Sequence, residues 1–248
     1  MAGTESLPDH VLGEIRRTRR HPAPTEYDYL HLRYLLASIR HVLEGWGDVR
    51  EVLDVFCGTR PYEDLLPAGA RVTTLDVNER YGTPDVVSTE FLPLADASFD
   101  LVTCYEGFHY VTDPGRGVAE LRRVLRPGGR VLVTVPLVWE YERDWLERRY
   151  TGPELADLFR DWDDVRVIEN GGRAASWALL TGSMLRLAEE NLVRAGASWR
   201  AVRAGFAASY AALNAVGMQI DRLERRAGPG PRALPPNLLV AARRPLDG

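Results

Sequence analysis

Apolar positions along this chain change period several times, and the changes mark out its elements. Over 26–46 they recur at helical spacing (Tyr27, Leu30, Tyr34, Leu35, Ile39, Val42, Leu43, Trp46), and Gly45 and Gly47 stop the run. Five short apolar runs follow, at 51–55, 71–75, 85–87, 99–105 and 130–135, and each reads as a strand. After the first of them, Pro61 opens a segment with helical spacing at Tyr62, Leu65 and Leu66. Asp113-Pro114 opens another through Val118, Leu121, Val124 and Leu125, which Pro127-Gly128-Gly129 ends. Such alternation predicts a parallel sheet with helices on both faces. A sixth strand is expected over 165–170 and a seventh over 237–243, with 149–155 turning into a late helix. Residues 1–25 are polar, carry the pairs Arg16-Arg17 and Arg19-Arg20, and read as a frayed or partly helical lead-in.

Between the last two strands lies 171–236, too long for a simple hairpin connection. Trp177, Leu180, Met184, Leu187 and Ala188 form one helical stripe. Trp199, Val202, Phe206, Tyr210, Leu213, Val216, Ile220 and Leu223 form a longer one, flanked by Arg200, Arg203, Arg222 and Arg225. Apolar stripes of this kind are more often core than ligand box. Because these helices are additional to the sheet, three further roles stay open, in this order: a cap on a substrate pocket, a homodimer contact, a membrane surface. Residues 228–231 and Pro235-Pro236 read as a stiff linker back to the sheet.

The stretch 52–66, V-L-D-V-F-C-G-T-R-P-Y-E-D-L-L, carries the chemistry. A strand ends on Asp54, breaks at Gly58 and runs into the expected helix, the form of a nucleotide-cofactor loop. Gly58 lets the backbone approach a ligand, and the helix would aim free N–H groups at the same spot. The next strand also ends on an acid, Asp76, about 20 residues beyond the loop, where it suits both ribose hydroxyls. Two acids at adjacent strand ends imply an adenosine ligand. A dinucleotide's pyrophosphate would be repelled by Asp54, with only Arg60 to offset it. The ammonium and sulfonium of S-adenosylmethionine suit an acid.

The segments V-L-D-V-F-C-G-T-R-P-Y, T-L-D-V, L-P-L-A-D-A-S-F-D-L-V and L-R-R-V-L-R-P-G-G-R-V-L-V-T-V-P resemble the class I S-adenosylmethionine-dependent methyltransferases, from about residue 51 to 136. Within them the resemblance is to the type 11-like group acting on small molecules and sugars. It implies an α/β, Rossmann-like doubly wound sheet of seven strands, the last inserted antiparallel between the fifth and sixth. The whole chain is then one methyltransferase domain: an N-terminal helical lid over 1–47, a cofactor core over 48–170, the helical insertion over 171–236 and the last strand over 237–248. It also implies S-adenosylmethionine contacts at Asp54, Phe56, Gly58, Arg60, Asp76, Val77 and Cys104. Ser88 stands where the family often has an acid meeting the adenine amine, with Thr89 and Glu90 beside it. The chain departs from the family's D-x-G-x-G-x-G pattern, because Phe56 and Arg60 replace the first and third glycines. Arg60 either pairs with the cofactor carboxylate or caps the helix into solvent.

Methyl transfer needs an aligned acceptor and, for a hydroxyl, a base. Ligands of open α/β sheets sit outside the strand ends, which points to 104–110, C-Y-E-G-F-H-Y. His109 is the first choice for base, because its reference pKa lies near neutrality; Glu106 and Tyr105 are the alternatives. Trp139 and Tyr141, after the fifth strand, and Tyr27 and His31, on the first helix, are expected to wall the acceptor, although plain packing accounts for them as well. The sequence shows no metal-ligand cluster. O-methylation of a natural-product or sugar-type acceptor is favoured over N- and C-methylation. A cyclase or rearrangement enzyme of the same fold and a non-catalytic binding subunit remain alternatives.

The 248 residues suit one α/β core, and 45% hydrophobic content is ordinary for a soluble globular chain. A net charge of −4 argues against a nucleic-acid partner. No apolar run approaches the ~18–20 residues that span a bilayer, and the first residues do not read as a secretion signal. A cytoplasmic address is expected, with Cys57 and Cys104 as buried free thiols rather than a disulfide.

Overall fold

The computed structural model describes residues 6–88, 91–228, 230 and 233–246. Thr89 and Glu90 lie outside them, as do Pro229 and Pro231 of the expected linker. Among the described residues, seven strands form one sheet in the order β3-β2-β1-β4-β5-β7-β6. They are β1 (Glu51–Val55), β2 (Arg71–Asp76), β3 (Val86–Val87), β4 (Phe99–Tyr105), β5 (Leu125–Pro136), β6 (Asp163–Asn170) and β7 (Asn237–Arg243). The strands pair in parallel from β3 to β5, and β7 runs antiparallel to both β5 and β6.

The inner strands β4, β5 and β7 are mostly apolar because both sheet faces are covered there, whereas β6, at the edge, alternates charged and apolar residues. Alternate side chains go to opposite sides. Leu53, Val102 and Val133 pack with α3 (Pro114–Val124) and α4 (Gly152–Leu158) through Val118, Leu121 and Leu155. Val52, Leu101 and Leu132 pack on α2 (Tyr29–Glu44) through Leu35, Ile39 and Val42. Asp113 caps α3 by accepting from Arg116 N, and Thr151 with Glu154 forms a reciprocal capping box on α4.

Several sequence expectations change. The helix expected after the glycine loop is a single 3-10 turn, Glu63–Leu65. Pro61 and Pro67 leave too few residues between them for more. The α-helical N-terminus expected beside the loop is therefore not formed there. Among the described residues, no α-helix joins β2 to β3 or β3 to β4 either, so α2, Tyr62 and Leu66 cover that side. The lead-in contains a formed helix, α1 (Asp9–Arg20), tied across the loop by Arg16 Nε to Thr59 O at 2.7 Å and by Arg20 to Asp64 at 2.9 Å. β5 already begins at Leu125, through the Pro127-Gly128-Gly129 turn, with a register irregularity opposite Phe99 and Leu101.

The insertion is a helical hairpin of α5 (Arg173–Arg194) and α6 (Trp199–Ala227). On α6, Val202, Tyr210 and Leu213 are buried as the stripe predicts. α5 is the reverse of its expected reading. Ala174, Ala175, Ala178, Leu179 and Gly182 face inward, whereas Trp177, Leu180, Met184 and Leu187 are exposed. Small inward residues let the backbone of α5 approach the start of α2. A Cβ on Gly182 would stand 2.7 Å from Tyr27 O. Val216, Ile220 and Leu223 of α6 are exposed too. No helix among the described residues is long and apolar enough to cross a membrane.

Candidate cofactor and acceptor site

Three alternate residues after β1 take left-handed backbone: Phe56 at φ 55, Gly58 at φ 50 and Arg60 at φ 52. The loop thus follows the path that glycines would favour, at a conformational cost for the two L side chains. Asp76 latches it. Its Oδ2 accepts from Gly58 N at 2.8 Å, and its Oδ1 accepts from Val77 N at 2.7 Å. Arg60 turns away and donates to Thr83 O at 3.3 Å, so it caps no helix. Ser88 Oγ donates to Phe91 O at 2.6 Å.

Asp54 is buried at the end of β1, where its Oδ1 accepts from Thr103 Oγ1 of β4 at 2.7 Å. Burial pushes its carboxyl up to about 7, and the Thr103 hydroxyl opposes this only in part. The folded state therefore holds a proton that the unfolded chain releases near 3.8. The stability this contributes is complete below about 3.8 and lost as pH rises through about 7. A cation beside Asp54 reverses the preference. Affinity for S-adenosylmethionine is expected to rise between pH 6 and 8, with proton release in calorimetry below 7. A flat affinity across that range would remove the charge contact.

Cys57 and Cys104 are free and buried, and burial raises both thiols well above their usual range, so they stay neutral. Cys104 lines a small apolar cavity with Phe56, Leu92 and Phe108. Tyr105 packs inward, its ring 4.9 Å from that of Tyr62.

Beyond β4 the chain turns through Glu106, another left-handed residue at φ 53. Its N–H donates to Thr134 O at 3.1 Å, and its carboxylate accepts from Asn237 Nδ2. Asn237 in turn accepts from Asn170 Nδ2 at 2.5 Å. His31 Nε2 stands 3.9 Å from Glu106 Oε2. Burial raises the Glu106 carboxyl, opposed by Arg19, and lowers His31 to about 3. Trp139 lies 5.1 Å from the His31 ring and 6.4 Å from that of Tyr27. From α5, Arg186 sits over the Tyr27 ring at 4.8 Å and donates to its hydroxyl at 2.7 Å, and Ser183 bonds Glu140. Tyr141 is 67% exposed and stays outside this group.

His109 forms a second group with Glu147 and Arg149. It is buried in a one-turn 3-10 helix, Phe108–Tyr110, with Nε2 3.9 Å from Glu147 Oε2. Arg149 holds that carboxylate at 2.8 Å. Nδ1 has no hydrogen-bond partner among the described residues. Burial lowers His109 to about 4, with Glu147 opposing. Arg149 acts electrostatically on both Glu106 and His109, which joins the two groups.

Gly182, Ser183, Arg186 and Asn237 escaped the sequence reading, and Arg19 stood out there only as one of a basic pair. Only Asn237, opening the last strand after two prolines, carried a local signal; the others lie on helices whose stripes say nothing of polar faces. The donor set fits S-adenosylmethionine. A buried, under-compensated carboxylate at Asp54 calls for a cation, and Asp76 keeps acceptor capacity at the end of β2.

A family profile described as a methyltransferase domain matches residues 53–133. A protein of Mycolicibacterium smegmatis (strain ATCC 700084 / mc(2)155), named "Probable S-adenosylmethionine-dependent methyltransferase", is 31% identical over 173 residues, 60% of this chain and 67% of that protein. The demethylmenaquinone methyltransferase of Mycobacterium sp. (strain JLS) is 32% identical over 175 residues, 58% of this chain and 76% of that protein. Among solved structures, the cyclase SpnF aligns with a TM-score of 0.57 at 18% identity, covering 88% of this chain and 83% of that one, a likeness of fold. The sheet order, the acids at the ends of β1 and β2, and identity across two thirds or more of these relatives agree: the chain belongs to the class I S-adenosylmethionine-dependent methyltransferases.

Proposed function

We propose that the chain methylates a small-molecule acceptor at oxygen, a natural-product or sugar-type hydroxyl, with His109 as general base. The observation that carries this reading is the partnerless Nδ1 of a buried, neutral His109 whose other nitrogen faces Glu147. Such an imidazole accepts a proton at Nδ1, and the carboxylate favours the cation formed. S-adenosylmethionine supplies the activated methyl group. The chain's own part is to hold the acceptor in line, exclude water and take the proton. Tyr27, His31 and Trp139 serve as the acceptor wall, and Arg186 and Ser183 give the insertion a capping role. Asp54 and the Gly58 loop latched by Asp76 hold the cofactor.

The four segments work as one domain, with 1–47 as the lid. The exposed stripe of Trp177, Leu180, Met184 and Leu187 suits a second copy of the chain. A second catalytic reading rests on Glu106. Burial favours its protonated form, which donates a hydrogen bond to a carbonyl and suits a cyclisation without methyl transfer. Incubation with methyl-labelled cofactor and a panel of hydroxyl, amine and polyene acceptors separates the readings. Label in an ether product supports O-transfer, label in an amine product moves the reaction to nitrogen, and an unlabelled cyclised product supports the second. Sedimentation of the same samples tests self-association, which a monomer mass would end.

A further inference from the structure

Phe56 is a bulky residue in backbone that such side chains rarely adopt, at φ 55. Strain of this kind persists only where the surroundings hold it. Room for it comes from Gly107, just beyond the end of β4, which has no side chain. A Cβ on Gly107 would lie 2.4 Å from Phe56 Cβ and 2.8 Å from Cδ2, so the two positions are matched. The ring closes an apolar cavity lined by Leu92, Phe108, Val111 and Leu121, leaving about 20 Å³. That is room for about one water and far too little for a purine base. The cavity nevertheless has the apolar walls that a flat base requires. Phe56, which lines it, is two residues from Gly58, whose N–H is bonded to Asp76 at 2.8 Å.

We infer that Phe56 sets the affinity of the cofactor site: its ring occupies the space of the adenine base and must swing away from Gly107 before the base enters. The inference rests on the cofactor assignment alone, and the test reads binding, so it is independent of the acceptor and of the reaction catalysed. S-adenosylhomocysteine is titrated calorimetrically into the full chain and into Phe56→Gly and Phe56→Asn. Glycine and asparagine both accept the left-handed backbone, so one serves if the other fails to fold. The expected result is binding about tenfold or more tighter than to the natural chain. Gly107→Ala should lower the melting temperature of the natural chain and leave that of Phe56→Gly unchanged, because the collision is then gone. A folded glycine or asparagine variant with equal, weaker or undetectable binding would overturn the inference and leave Phe56 as ordinary packing.

Discussion

Replacing His109 with alanine should lower turnover by about 10²–10⁴-fold, the usual loss when a general base is removed from a hydroxyl acceptor. Cofactor affinity should change far less, because the ionic partners of His109 are Glu147 and, through it, Arg149 rather than Asp54 or Asp76. Burial lowers the imidazole to about 4, so at neutral pH it is unprotonated but a weaker base than a free histidine, and Glu147 opposes that shift. The same shift has a stability consequence with a definite sign. The unfolded imidazole takes its proton near 6.5, so stability is undiminished above that value, falls as pH drops, and is fully lost below about 4. The alanine variant should lack this part of the acid dependence. Steady-state kinetics on the folded variant decide the catalytic claim. A fall of less than about threefold would pass the base role to Glu106, whose carboxyl sits 3.9 Å from His31, or to the acceptor's own amine.

The second large effect is expected at Asp76. Alanine there should weaken S-adenosylmethionine binding by at least about 1.5–3 kcal/mol, the scale of hydrogen bonds to a charged group. The loop adds to that loss. Gly58 N and Val77 N both donate to this carboxylate, and each is left without its partner when it goes. Asp76→Asn keeps one acceptor oxygen and should recover part of the affinity, which a role in ribose contact alone would also allow. The discriminating measurement is therefore amide hydrogen exchange in the ligand-free protein. Faster exchange at 56–60 in the alanine variant reports the latch. Unchanged exchange together with unchanged affinity would leave Asp76 with neither role.

Much of the frame was legible because its causes are local. Strands covered on both faces must be apolar throughout, so β1, β4 and β7 stood out from their neighbours within a residue. The two acids were legible for the same reason, each being a charge that ends an apolar run. Pro114 and Asp113 announced α3 because capping is a contact between neighbours. The helix after the glycine loop was misread because Tyr62, Leu65 and Leu66 serve a single turn under α2 as well as they would a helix. α5 was misread because burial there is governed by closeness of backbones, which favours alanine and glycine, and the large residues are left outside.

The sequence by itself determined the strands of the sheet, the acids at the ends of two of them and, through the resemblance its motifs carry, the family. Only the tertiary structure decided what surrounds Tyr27, His31 and Glu106. Arg186 meets Tyr27 across 159 residues and Asn237 meets Glu106 across 131. Such pairings leave no period in the chain, because each partner is chosen by the fold of elements far apart in sequence. The same holds for Phe56 and Gly107, where a ring on one strand end fills the place of the side chain that the other strand end lacks.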